Sequence, residues 1–267
     1  MIAKLHIRTE HNGVSSVLKE VYSTTPFKIV DITEEKRSAH LDIMIMSSSP
    51  GVLDGDEYDI SINVGDNTNV NLQTQSYQRL FNMTGSAKQH ATFTIGENAV
   101  LRYIPHPSVP HESSSYTAVN TFKLCSNSGL IFGEILTCGR KLNGEVFKFS
   151  KYHAISAIYI DDTLSIKENL LIEPKKIDVN ALGQLEGFTH QATLICIHEN
   201  IVADEVYNHV VRITEKDKDI CFGVSAAPGN AVIIRMLGQK AEYLFSYLNQ
   251  IANTLQPIMQ KEKVYAD

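Results

Sequence analysis

The sequence predicts a mainly β fold of stacked strand layers, β-helix or solenoid-like in character, with two α-helices near the C-terminus. Three observations carry that prediction. Apolar and polar residues alternate with a period of two through most of the chain, as in half-buried strands. A polar tight turn between such strands recurs at a near-constant interval. Helical periodicity is convincing only towards the end.

Taken in order, Leu5 and Ile7, then Val14, Val17 and Leu18, form an expected edge hairpin around His11-Asn12-Gly13. Asn-Gly favours a type I′ turn, which needs φ > 0 at both central residues. Thr24-Thr25-Pro26 breaks the chain, and Phe27, Ile29 and Val30 resume it. Leu41 to Met46 reads as a buried strand that feeds Ser48 to Ile60, where two glycines, a proline and four carboxylates fall within thirteen residues. The first half of that stretch is turn chemistry, because Pro presets φ and Gly admits φ > 0. Beyond it, Tyr58, Ile60, Ile62 and Val64 take one face of a strand, and Asp59, Ser61 and Asn63 the other. An anionic loop held at the head of a strand is either a solvated turn or a place that meets a cation or a basic partner.

The repeat follows. Ser61 to Asn67 is echoed by Phe93 to Asn98, with Gly65 and Gly96 separated by 31 residues. Phe122 to Leu130 comes at nearly the same interval, and Ile158 to Ile166 somewhat later. Such recurrence favours stacked layers, while hairpins of any antiparallel protein produce similar spacing. Ala203 to Thr214 is an expected helix, with Val206, Val210 and Ile213 on one face and Asp204 and Glu205 suited to the N-terminal dipole. Gly223 to Asn230 reads as a loop and Ala231 to Leu237 as a buried strand. A last helix, Lys240 to Gln256, aligns Leu244, Leu248, Ile251 and Leu255 and is expected to stop at Pro257, leaving Lys261 to Asp267 frayed. No linker divides the chain, so residues 1–267 are read as one domain.

The totals exclude several classes. At 267 residues, with 43% hydrophobic and 20% charged residues, the chain can bury a sizeable core. A net charge of −6 without a basic block argues against nucleic acid or an anionic membrane surface as partner. Cys125, Cys138, Cys196 and Cys221 are too scattered for a zinc ribbon or a disulfide scaffold, so reduced thiols are expected. No signal core and no membrane-length apolar run appears, and a cytoplasmic location is expected.

No nucleotide, hydrolase or zinc-protease motif is present, and Gly139-Arg140-Lys141 lacks the glycine-rich run of a P-loop. A carboxylate-dependent hydrolase on a β-solenoid would pair the loop acids with Glu134 or Glu168, although no spacing singles out an acid–base pair. His106 and His111 flank Pro107-Ser108-Val109-Pro110; they either share a borderline cation such as nickel or zinc or are merely solvated. Thr74 to Phe81 is either a short polar connector or a polar lining or docking surface.

Five segments then resemble one family in order and spacing. Ser49-Pro50-Gly51-Val52-Leu53-Asp54-Gly55-Asp56 is similar to the S-P-G-G-x-x-x-G-D segment of the UreD (UreH) urease accessory proteins. Gln73 to Phe81 resembles T-T-Q-A-x-x-K-x-Y, and Gly96 to Pro105 resembles G-x-x-A-x-L-E-W-L-P. Gly133 to Arg140 with Gly144-Glu145-Val146-Phe147 resembles E-x-x-x-x-G-R-x-x-x-G-E-x-F; Pro228-Gly229-Asn230 and Arg235 to Gly238 match the closing strand. Departures are Val52 and Asp54 for glycine, Arg79 and Phe81 for Lys and Tyr, and Arg102 for an acid.

The resemblance implies a non-enzymatic scaffold of helically stacked strands. Such a scaffold binds UreF, which carries the GTPase UreG, docks on apo-urease subunits, and allows a dimer within the accessory complex. It passes transient Ni²⁺ through an internal polar channel and holds no cofactor tightly. The positions matching the channel acids are Asp56, Glu134 and Glu168, with Gln75, Arg79 and Arg140 as polar lining or docking candidates. Glu134 lies in an apolar strand, where an unpaired charge is costly, and Arg140 is one available partner. A pure docking module without metal transfer is the remaining reading.

Overall fold

The computed structural model describes residues 1–34, 40–215 and 217–260; the expected frayed tail, Lys261 to Asp267, lies outside them. Its strands are β1 (Ile2–His11), β2 (Ser16–Ser23), β3 (Phe27–Asp31), β4 (His40–Ser47), β5 (Glu57–Val64) and β6 (Asn69–Gln75). Then follow β7 (Gln78–Leu80), β8 (Ala87–Ile95), β9 (Val100–Tyr103), β10 (Ser108–Pro110), β11 (Ser115–Leu124) and β12 (Gly129–Thr137). The last are β13 (Lys151–Ile160), β14 (Thr163–Ile172), β15 (His190–Ile197), β16 (Cys221–Ala227) and β17 (Ala231–Gly238). The helices are α1 (Ala203–Thr214) and α2 (Ala241–Met259).

Two stacked sheets result. The first runs β14-β13-β11-β8-β5-β1-β2; the second runs β16-β17-β15-β12-β9-β6-β4-β3, with β7 and β10 paired beside it. From β5 to β12 the chain alternates between sheets and advances one strand at each passage. Neighbours are therefore parallel, and Ile62, Phe93, Phe122 and Ile158 fall in one column. The first three repeat turns are arches from one sheet to the other. Asn98 Nδ2 donates to Asn67 Oδ1 (3.2 Å) and Asn127 Nδ2 to Asn98 Oδ1 (2.8 Å), so the turns stack as an asparagine ladder. Asn67 (φ 57°) and Asn98 (φ 53°) are left-handed, a conformation Asn tolerates better than most residues.

The fourth repeat turn differs: it is the antiparallel β13–β14 hairpin. Asp161 (φ 45°) and Asp162 (φ 60°) make the two-residue type I′ turn there. The β1–β2 hairpin does not use that turn. Only Gly13 of the expected Asn-Gly pair is left-handed (φ 90°), and Asn12 Oδ1 instead accepts the Val14 and Ser15 amides, each at 2.9 Å. A side chain able to mimic a backbone acceptor displaced the expected turn.

The outer face of the second sheet is covered by the helices. Strand β12 is buried on both sides: Leu130 and Phe132 face the interior, while Ile131 and Ile135 meet Leu244, Leu248 and Ile251 of α2. Each such side chain stabilises the fold by about 1.5–3 kcal/mol on burial. Arg102 pins α2 to β9. Its guanidinium donates to Asn249 Oδ1 (2.8 Å), Asn253 Oδ1 (2.7 Å) and Gln256 Oε1 (3.0 Å), one turn apart along the helix.

Two expectations fail at this end. Gly223 to Ala227 is strand β16, not loop, because it pairs antiparallel with β17 despite its Gly, Ser and Ala content. Pro257 lies inside α2 rather than ending it. So near the C-terminus Pro removes only one intrahelical bond, and beyond it Met259 is buried and Asn200 Nδ2 donates to the Ile258 carbonyl at 3.3 Å.

Candidate functional site

The interior core is cut in two by a layer of polar side chains. Inward positions on the first sheet read Ala118-Asn120-Phe122, Ala154-Ser156-Ile158 and Ile166-Glu168-Leu170, apolar on either side of a polar residue. On the second sheet, Phe132-Glu134-Leu136 and Ile233-Arg235-Leu237 do the same. Register puts Asn120 beside Ser156 and Ser156 beside Glu168. On the opposite sheet it puts Glu134 beside Thr193 and Thr193 beside Arg235.

The two rows bond across the sandwich. Asn120 Nδ2 donates to Glu134 Oε1 at 3.3 Å and to Ser156 Oγ at 3.2 Å, and Ser156 Oγ donates to Glu134 Oε2 at 3.4 Å. Further along, Arg235 Nη2 donates to Glu168 Oε1 at 2.5 Å. Apolar clusters lie on both sides of this band, one around Phe93, Phe122 and Phe132, the other around Tyr116, Phe149 and Tyr152.

Two cavities of about 360 and 230 Å³ meet at the band, and Glu134 and Tyr152 line both. The larger opens between Ser47–Gly51 and Gln75–Arg79, where Ser47, Pro50, Gln75, Ser76 and Arg79 are exposed, and runs inward past Tyr58, Tyr103 and Tyr116. The smaller continues from Glu134 to Glu168, Asn169 and Arg235, where the sandwich opens again. Burial pushes the Glu134 carboxyl up to about 7; the Ser156 hydrogen bond opposes the rise and the Glu168 charge adds to it. Near neutral pH this group therefore exchanges its proton readily.

The sequence candidates separate in space. Glu134 and Glu168 join the band. Glu134 does not pair with Arg140, whose guanidinium is held by Glu145. Arg140 lines neither cavity, whereas Gln75 and Arg79 stand at the larger mouth. Asp56 is buried away from both cavities. Its carboxylate accepts the Leu53 amide (2.9 Å) and the Tyr58 hydroxyl (3.4 Å) and sits 3.3 Å from the Met1 amino group. Asp54 is exposed yet bonded: its carboxylate accepts the Thr84 hydroxyl at 2.7 Å and the amides of Thr84 and Gly85, which hold it below the ordinary carboxylate range. Two of the loop's four acids thus hold chain together, and Asp54, Glu57 and Asp59 are exposed.

His106 and His111 are not brought to one point. His106 lines the larger cavity, 3.2 Å from Thr74 Oγ1 and stacked on Phe245. His111 is buried against Phe81, with no hydrogen-bond partner at Nδ1. Burial lowers both from the ordinary histidine range, and Arg140 lowers His111 further. Among the described residues no group of three or more His, Cys, Asp or Glu is placed to hold a metal.

The loop at the mouth explains its own sequence. Val52 N donates to the Arg79 carbonyl at 2.8 Å and Phe81 N to the Val52 carbonyl at 2.9 Å, sewing the loop to β7. A Cβ on Gly51 would collide with the Arg79 carbonyl oxygen and stand 2.8 Å from the Phe81 ring. Only Gly allows that approach.

Sequence reasoning missed Asn120, Ser156, Thr193 and Arg235. The available signal was parity: each is a polar residue at an inward position of an otherwise alternating strand.

Comparison with known proteins agrees with the segment resemblance. The family model of the UreD urease accessory protein matches residues 1–266. A urease accessory protein UreD from Flavobacterium johnsoniae is 42% identical over 256 residues, covering 96% of this chain and 92% of its own length. One from Acetivibrio thermocellus is 33% identical over 254 residues, covering 95% and 97%. A third, from Staphylococcus aureus, is 28% identical over 252 residues, covering 93% and 90%. These relatives are named as accessory proteins rather than as enzymes, and no helix of the described residues is long and apolar enough to cross a membrane. With its strands stacked in two layers and its whole length matched, the chain belongs to the UreD urease accessory protein family.

Proposed function

We propose that this protein is a cytoplasmic scaffold that binds UreF, and UreG through it, docks on apo-urease, and passes Ni²⁺ between its two sheets towards the urease active site. The observation that carries this reading is Glu134, which joins two cavities opening on different sides of the molecule. Nickel is cargo here, so its stations must be weak. A lone carboxylate with hydroxyl and amide oxygens nearby is a poor trap, whereas a tight four-ligand site would hold the ion. Glu134 binds a cation as it loses its proton, and that exchange needs little driving force for a group pushed up to about 7. Tyr58, Tyr103 and Tyr116 line the larger cavity on the way to Glu134. Asp56 serves this path indirectly, by holding the loop that frames its mouth.

The test is co-expression with the urease subunits, UreF and UreG, followed by measurement of nickel per urease and of complex assembly. Deleting this protein leaves urease made but nickel-poor; normal loading in the deletion strain sinks the proposal. Glu134→Ala lowers loading while assembly persists. If loading falls only together with assembly, the protein is a docking module and the path is wrong.

A further inference from the structure

We propose that Arg235 is a displaceable counter-ion that competes with the travelling cation for Glu168, so that the second opening of the path releases nickel instead of retaining it. This inference rests on the path reading above. Of the residues lining the smaller cavity, Glu134 and Glu168 are the acids and Arg235 the cation. Arg235 and Glu168 bond at 2.5 Å with side chains 49% and 25% exposed, so the pair stands at the opening and not in the dry interior.

Three features of its placement give Arg235 this role. It is carried on β17 and Glu168 on β14, so the bond bridges the two sheets where they diverge and neither strand's own pairing depends on it. Thr193 alone stands between Arg235 and Glu134 along the inner face of the second sheet, which puts both acids on one short route. An ion pair this exposed is weak, so a divalent ion handed on from Glu134 can displace the guanidinium into solvent. The flexible Arg side chain then returns to Glu168, and its positive charge drives the cation outward. With Arg235 in place the opening holds no uncompensated charge from Glu168, so other cations in solution gain little by entering backwards.

The experiment measures Ni²⁺ binding to the purified full-length protein by equilibrium dialysis and its release by stopped-flow exchange into a chelator. Arg235→Gln tightens Ni²⁺ binding by roughly two- to fivefold, the effect of removing one exposed competing charge, and slows release to match. Arg235→Lys keeps wild-type affinity, because the charge is retained. Adding Glu168→Gln to Arg235→Gln abolishes the gain. The inference is overturned if folded Arg235→Gln protein, judged by circular dichroism, binds Ni²⁺ no more tightly than wild type, or if the Lys variant behaves as the Gln variant does. Nickel loading of co-expressed urease separates the two proposals. Unimpaired loading with both Glu134→Gln and Glu168→Gln overturns the path itself; impaired loading with unchanged Arg235→Gln binding leaves the path standing and removes only the counter-ion.

Discussion

Replacing Glu134 by Gln should make the protein more stable and less useful. The carboxyl is pushed from an ordinary 4.5 to about 7 because charging it inside the sandwich is unfavourable. At about 1.4 kcal/mol per pH unit, that difference corresponds to roughly 3 kcal/mol of destabilisation once the group is charged in both states. Glu134 is only partly buried and faces both cavities, so solvent screening reduces the cost to a net figure of about 2 kcal/mol. The sign follows from proton binding. Below pH 4.5 folded and unfolded chains both hold the proton, and Glu134 carries no penalty. As pH rises towards 7 the unfolded chain releases its proton first, and wild-type stability falls relative to the Gln variant; above that the gap is constant. Gln keeps a carbonyl oxygen for Asn120, and the Ser156 hydroxyl can turn to accept from the new amide, so little bonding is lost. Urea unfolding of both proteins between pH 5 and 8.5 should show curves that nearly meet at the acid end and separate by about 2 kcal/mol at pH 8. At roughly 2–4 °C per kcal/mol, the variant melts on the order of 5 °C higher there. A gap independent of pH, or a wild type more stable at pH 8, would falsify the assignment of Glu134 as a strained interior acid.

Other perturbations test other parts of the frame. Arg102→Leu strands three amide side chains of α2 and should cost about 2–4 kcal/mol in denaturant unfolding, with faster hydrogen exchange confined first to α2; uniform exchange would show that the helix is held elsewhere. Gly51→Ala forces the mouth loop off the Arg79 carbonyl and should lower stability by roughly 1–3 kcal/mol, read as a lower urea midpoint with unchanged slope. Asn98→Ala loses both ladder bonds and a tolerated left-handed residue, for about 1–2 kcal/mol, whereas Asn98→Gly loses the bonds alone and should be milder. Equal losses would mean that the ladder bonds, not the backbone conformation, carry the effect.

Much of the fold was legible from local pattern. Alternation found β4, β5 and the repeat units because each has one face in the core, and the interval of 31 residues is one full circuit of the two sheets. Local pattern could not tell an arch from a hairpin. Gly65 to Thr68 joins two sheets and Asp161-Asp162 reverses within one, yet both are polar turns between similar strands; partner choice lies beyond the turn itself. Strand β16 was hidden because Gly223, Ser225 and Ala226 contribute little apolar surface, and its order comes from pairing with β17. At the site, Glu134 and Glu168 came through family resemblance. Arg235 did not, because it was read as part of a closing strand, and its meaning depends on Glu168 arriving 67 residues away from the opposite sheet. Asp56 shows the converse: a carboxylate in a conspicuous loop can be engaged structurally, here by the Leu53 amide, the Tyr58 hydroxyl and the Met1 amino group.

The ends of the first sheet carry a consequence for assembly. A pile of parallel rungs has no geometric reason to stop, since each outer strand is a template for one more. Here β2 and β14 both run against the parallel strands between them, and Lys19, Glu20 and Lys167 stand exposed along those borders. The reversed strands act as terminators of a potential polymer, fixing its length at one chain. Removing residues 12–23 would uncap β1, and the shortened protein should string into filaments that light scattering detects at concentrations where the full chain stays clear.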